Sequence, residues 1–260
     1  MCLTVVVHVL YYCWQGDSCQ FVGNKADEGS VIQSWQGKHY VKNSNFENNV
    51  SNGAYGAIYF SGIIDTAFIE NNSIVGDTAL TGNAGIYGDG SRLVISRNTI
   101  SGNVAANASA VGTFNNAWND LKGNTIANNT STGTSTISSG GSAIVDMDNN
   151  IVAYNSNPTS GIDFENLGGS YNSNGNNFIE NGDGSTWVGS DTVGTTGSTI
   201  DPRIDVLALN EGATITKSHG PLCLSPIIDA GTSTSTDQYG NAAFGGIADI
   251  GAYEDQSPEA

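Results

Sequence analysis

Positive charge is scarce in this 260-residue chain: 8 Lys and Arg stand against 25 Asp and Glu, for a formal net charge of −17. Binding to DNA, RNA or an anionic lipid surface needs a basic footprint, which this composition lacks. A neutral or cationic partner or a divalent metal fits better, unless the charge serves only solubility. Runs of about 10–15 good helix formers with apolar residues at i, i+3 and i+4 are also missing. That excludes a helical repeat, and the lack of a leucine ladder excludes a leucine-rich one. The apolar run Met1–Cys13 (MCLTVVVHVLYYC) is too short to span a bilayer, so membrane insertion is not expected. No Lys or Arg precedes it and no small-residue cleavage site follows, although a short export signal is the alternative. Its alternating β-branched residues suit a buried first strand, and the native chain is expected to begin upstream of it. The four cysteines, Cys2, Cys13, Cys19 and Cys223, form no CxxC or Cys/His metal spacing and read as structural thiols. Cys13 and Cys19 are near enough to bridge, but connectivity does not follow from spacing. No Ser-His-Asp arrangement or Gly-rich phosphate loop is visible.

What the chain has in plenty is a repeated phrase, Asn-x-apolar-x-x-Asn. It reads Asn72–Ile74–Asp77, Asn98–Ile100–Asn103, Asn124–Ile126–Asn129, Asn150–Val152–Asn155 and Asn176–Phe178–Asn181, with first asparagines 26 residues apart. Two looser copies precede them, Cys19–Phe21–Asn24 and Ser44–Phe46–Asn49. A fixed period of this length marks a stacked-repeat fold. Period-2 runs around each phrase, and a second apolar run eight or nine residues after it (Ile86-Tyr87, Val111, Ile137), give two or three short strands per repeat. One such coil cannot bury its apolar face, whereas stacked coils bury a continuous column. The expectation is an all-β parallel β-helix (solenoid) of about seven coils, about 26 residues per coil, with its asparagines stacked as amide ladders. Coils occupy 1–185, including the low-complexity Thr130–Gly141; 186–200 is a transition, and 201–256 is a C-terminal cap.

Two families share pieces of this pattern. Cys19-Gln-Phe-Val-Gly-Asn, Ser44-Asn-Phe-Glu-Asn and Tyr55-Gly56-Ala57-Ile58 resemble the FxxN and GGA[ILV] repeats of bacterial polymorphic outer-membrane proteins. Downstream come Asp201-Pro202, Leu209–Thr214, Ser225-Pro-Ile-Ile-Asp-Ala-Gly231, Thr236-Asp-Gln-Tyr-Gly240 and Ala248-Asp-Ile-Gly-Ala-Tyr-Glu254. This string resembles the C-terminal signature of the choice-of-anchor Q family, which are exported right-handed parallel β-helix proteins. The resemblance implies a right-handed β-helix upstream and an extracellular or cell-surface location. No anchoring segment is recognised in Asp255–Ala260, and Lys217–Gly220 and Cys223 depart from the family pattern. Physically, the prolines and glycines of 201–256 suit a cover for the open end of a solenoid. Asp229, Asp237, Asp249 and Glu254 suit either turn-pinning roles or a Ca²⁺ site.

Candidate chemistry lies on one strand face. In Ile144–Asn150, Val145 and Met147 alternate with Asp146 and Asp148, so the two carboxylates point outward, about 6.5–7 Å apart along the strand. One coil earlier the same positions hold Asp120 and Lys122, before that Val94 and Ser96, and Phe68 and Glu70 continue the column. Asp120, Asp146 and Asp148 are therefore the candidate catalytic groups, with Lys122, Trp118 and Glu70 as candidate ligand contacts. Such a pair matches the about 6.5–9.5 Å separation of an inverting glycosidase, and Asp146 with Asp148 could collect Ca²⁺ for a lyase. Opposing this are the shortage of basic residues to hold an acidic sugar and the absence of a pectin-hydrolase motif. Ser218-His219-Gly220 supplies only a fragment of one. Trp14, Trp35, Trp118 and Trp187 offer sugar-stacking surfaces if exposed. The reading is an exported monomeric module that binds a polysaccharide or surface glycan and requires no cofactor, Ca²⁺ being optional. The alternatives are a polysaccharide lyase or inverting hydrolase on the Asp face, and a plain stalk.

Overall fold

The computed structural model describes residues 7–10 and 14 (backbone), 15–27, 31–133, 135–157, 162–210, 215–232 and 236–257. Cys2 and Cys13, most of Met1–Cys13 and the Trp14 side chain lie outside the described residues. The fold is the expected parallel β-solenoid, built on four sheets of seven, seven, eight and five strands. The first runs from Val7–Leu10 to Phe164–Leu167, the second from Trp14–Asp17 to Ser170–Gly175. The third runs from Gln20–Val22 to Thr192–Val193 and the fourth from Lys25–Ala26 to Thr130–Ser131. Most coils thus carry four strands rather than two or three, because the fourth-sheet strands are only two residues long and leave no periodic signal.

Like residues stack on like, as the repeat requires. Ile74, Ile100, Ile126 and Val152 form one inward column of the third sheet, and Ile69, Ile95, Leu121 and Met147 one of the second. All eight are fully buried. The low-complexity Thr130–Gly141 does belong to a coil, contributing strands Thr130–Ser131 and Ile137–Gly140.

The asparagines form two internal ladders. In the first, each side-chain oxygen accepts from the backbone and amide nitrogens of the preceding coil, through Asn72, Asn98, Asn124 and Asn150. The next rung is Asn177, not Asn176. Asn176 instead continues a column of left-handed corner residues, after Asn43, Asn71, Arg97, Gly123 and Asn149, with φ between 49° and 60°. The last step is therefore one residue longer than the period. A one-residue slip exchanges the faces of a strand, so Ile179 takes the inward place expected of Phe178, which points outward from the column. The second ladder runs Asn24, Asn49, Asp77, Asn103, Asn129, Asn155; Asn181 leaves it and bonds Thr196.

The corner between the fourth and first sheets is closed by direct backbone contact. Gly56 donates its N–H to the Asn83 carbonyl at 2.7 Å, and a Cβ on Gly56 would overlap the Ala84 carbonyl oxygen. Backbone cannot give way as a side-chain tip can. Gly56→Ala is expected to cost about 3 kcal/mol or more, read as a lowered midpoint in a urea melt.

The described residues of 201–256 lie beside the coils rather than over their end. Lys217 pairs with Glu47 at 2.6 Å, His219 bonds Ser101, Gln238 accepts from Thr99, and the Ala252 N–H donates to Thr125. Ile204, Ile227 and Ile250 pack on Ala127, Ile151, Ala153 and Phe178, so the outward Phe178 is buried by this segment. The core column itself is met at its far end by Trp187 and Val193, with Trp187 edge-on to Phe164 at 5.0 Å. Within the flanking segment the carboxylates hold turns. Asp237 accepts the N–H groups of Tyr239, Asn241 and Glu254; Glu254 those of Phe244 and Asp249; Asp249 those of Asp229 and Asp255.

Candidate functional site

Four strands of the second sheet, Thr66–Glu70, Arg92–Ser96, Trp118–Lys122 and Ile144–Asp148, pair in unbroken parallel register. Alternation sends Ala67, Ile69, Leu93, Ile95, Leu121, Val145 and Met147 inward, all fully buried. The outward positions form three columns, and Asp120 sits directly beside Asp146, as Lys122 does beside Asp148. The expected patch therefore exists as a set of neighbours on two rungs.

Its exposure is uneven. Lys122 is exposed and Asp146 and Asp148 are half-buried, but Asp120 is only 9% accessible. The Lys122 ammonium pairs with one oxygen of Asp120 at 2.8 Å, a carboxylate that was expected to face solvent. The other oxygen of Asp120 is buried without a hydrogen-bond partner. Asp146 is held from both sides, accepting the Trp118 indole N–H at 2.5 Å and the Asn172 amide at 2.8 Å. Burial pushes the Asp148 carboxyl above the usual carboxylate range; Lys122 opposes this, and Asp120 and Asp191 reinforce it. Glu70 lies apart from the patch, paired with Lys42 at 2.7 Å and with Arg97 at 3.7 Å.

Stacking at the rung spacing also decides how the aromatics present themselves. The Arg92 guanidinium lies 4.0 Å over the Trp118 ring, and Tyr40 stacks on Phe68 at 5.2 Å and 7°. Rungs about 4.7–4.9 Å apart suit such face-to-face contact, so each of these pairs spends a ring face on its neighbour.

No protein-family model matches the chain, and no curated protein matches it. The site must be judged from its own chemistry. Among the described residues no group of three or more His, Cys, Asp or Glu is placed to hold a metal ion.

Sequence reasoning missed several neighbours. Asn172 was legible, being one period after Asp146. Asp191 was not, because it follows the break in the repeat. There it ends the first asparagine ladder, accepting from the Asn177 backbone and amide nitrogens at 2.9 and 3.0 Å. A second aromatic group, Tyr55, Tyr59, Tyr87 and Phe114, stacks on the first sheet, with Trp35 edge-on to Tyr59 at 6.3 Å. Tyr59 is 5% accessible, and burial pushes its phenol up to about 12. This group is packing material for the outer layer.

Proposed function

We propose that this protein is an extracellular glycan-binding module whose ligand lies on the outer face of the second sheet. The observation that carries the reading is the doubly anchored Asp146. Its carboxylate is oriented by Trp118 and Asn172 on flanking rungs, with Asp148 and the Lys122 ammonium beside it. Partly exposed carboxylate acceptors at Asp146 and Asp148 suit the hydroxyls of a neutral polysaccharide. An acidic polymer is disfavoured, because Lys42 and Arg97 are committed to Glu70 and Lys122 to Asp120. Export and surface display are supported by the resemblance of residues 201–254 to the choice-of-anchor Q signature.

The test is retention on a panel of insoluble neutral and acidic polysaccharides. Asp146→Ala is expected to weaken retention of a neutral polymer tenfold or more, since hydrogen bonds to a charged group contribute about 1.5–3 kcal/mol each. Retention unchanged in Asp146→Ala, or no retention of any polymer, rejects the surface. A second reading, inverting hydrolysis, is favoured by one feature: a carboxyl raised by burial (Asp148) stands two residues from the anchored carboxylate Asp146. That is the pairing of acid and base such chemistry uses. New reducing ends that vanish in both Asp146→Ala and Asp148→Ala identify an enzyme. Unsaturated products appearing only with Ca²⁺ identify a lyase.

A further inference from the structure

A concavity also lies away from the acidic sheet face. A cavity of about 500 Å³ lies within the C-terminal flanking segment, a size that suits a small organic molecule. Leu224, Ile228 and Tyr253 give it apolar walls, and Asp205, Asp255 and Cys223 stand among its polar lining. Tyr253 is positioned by edge-on contact with Tyr239 at 6.1 Å, and Tyr239 in turn donates its hydroxyl to Ser218. Each carboxylate is fixed through one oxygen by a backbone N–H: Asp205 by Val206 at 2.7 Å, Asp255 by Ser257 at 2.9 Å. No Lys, Arg or His is among the described lining residues. Leu224 is 79% exposed although apolar. Its φ of 61° places it on a left-handed turn that holds it at the mouth.

We propose that this cavity is a binding site for an organic amine, its ammonium between Asp205 and Asp255 and its apolar body against Leu224, Ile228 and Tyr253. Two oriented carboxylates with no opposing cation repel an anion and are wasted on a neutral apolar ligand. With an ammonium group they gain charge-assisted hydrogen bonds, and the aromatic wall adds to the attraction for a cation. The net charge of −17 concentrates cations around the whole molecule. This site is separate from the second-sheet face and does not depend on glycan binding there.

Cys223 is exposed and carries a free thiol on the cavity wall, which makes it a reporter. The whole protein is treated with iodoacetamide in the presence of phenethylamine, phenethyl alcohol or phenylpropionate, and modification of the Cys223 peptide is followed by mass spectrometry. Phenethylamine at ten times its dissociation constant is expected to slow alkylation about tenfold, the alcohol much less and the carboxylate not at all. Asp205→Asn combined with Asp255→Asn should bring the amine down to the level of the alcohol, and Leu224→Trp should abolish protection by both. Equal protection by all three probes, no protection up to about 20 mM, or full amine protection in the double variant overturns the assignment.

Discussion

Replacing Asp77 with asparagine is expected to stabilise the protein by about 4 kcal/mol at pH 8 and by very little at pH 4. Asp77 is the single carboxylate in the second ladder and is fully buried. Its Oδ1 does what an amide oxygen does, accepting the Asn49 backbone and amide nitrogens at 2.7 Å each. Its Oδ2 takes the place where neighbouring rungs carry a donor, as Asn103 does toward the Ile74 carbonyl at 3.0 Å, and it has no partner. A protonated carboxyl can supply that missing hydrogen; a carboxylate cannot. Burial accordingly raises the Asp77 pKa from 3.8 to about 7. The folded state therefore holds a proton that the unfolded state has released between about pH 4 and 7, and stability falls as pH rises through that window. Below it both states are neutral and no penalty exists. Above it the full cost of a buried carboxylate is present, about 1.4 kcal/mol for each pH unit that separates the folded and unfolded pKa values. The Asp77→Asn change removes that cost and restores the donor. Asp163, also raised to about 7 by burial, keeps its share of the pH dependence in both proteins. The informative quantity is thus the difference between their urea-melt stabilities at pH 4, 6 and 8. A difference that stays constant across the three pH values rejects the account.

The converse change, Asn124→Ala, is expected to cost about 4 kcal/mol or more at every pH. Asn124 accepts from the Asn98 backbone and amide nitrogens at 3.0 and 3.1 Å, and donates to the Ile95 carbonyl at 2.8 Å and the Asn150 oxygen at 2.9 Å. Alanine takes a hydrogen bond from all four groups. Asn98 Nδ2 keeps the Ile69 carbonyl and Asn150 Oδ1 keeps the residue-124 N–H, but the Asn98 N–H and the Ile95 carbonyl lose this side-chain partner inside the stack, and each buried orphan costs about 1–3 kcal/mol. The neighbouring coils cannot rotate to repair the loss, because their own rungs are fixed by the next pair. Asn124→Asp should instead reproduce the behaviour of Asp77, mild at pH 4 and severe at pH 8. Urea midpoints for the three proteins separate lost hydrogen bonding from buried charge. Stability of Asn124→Ala within about 1 kcal/mol of the parent would show that the ladder is ornamental.

The acidic face was legible because alternation and register are both local properties. Once Met147 and Val145 point inward, Asp146 and Asp148 must point outward, and the 26-residue step places Asp120 beside Asp146. Burial of Asp120 was not legible, since alternation fixes the face a side chain takes but not how closely its neighbours pack around it. Nor was the covering of Trp118 by Arg92, which needs the actual ring orientation. The choice of Asn176 as the last rung failed for a related reason. Asn176 satisfies the whole phrase through Asn181, whereas Asn177 meets Gly182 at that place, yet the left-handed turn at Asn176 hands the rung to Asn177.

By itself the sequence determined the period, the parallel solenoid and the inward columns from Asn72 to Asn155. A stacked repeat writes each contact as the same residue type at one fixed separation, so the three-dimensional neighbours can be counted along the chain. Tertiary structure alone decided where the described residues of 201–257 lie, how Phe178 is buried, which carboxylates keep access to solvent, and that a cavity opens beside Tyr253. Those contacts join segments far apart in sequence, such as Thr99 with Gln238 and Asn149 with Asp249. They are made once each, by shape and hydrogen-bond matching, and nothing periodic in the chain announces them.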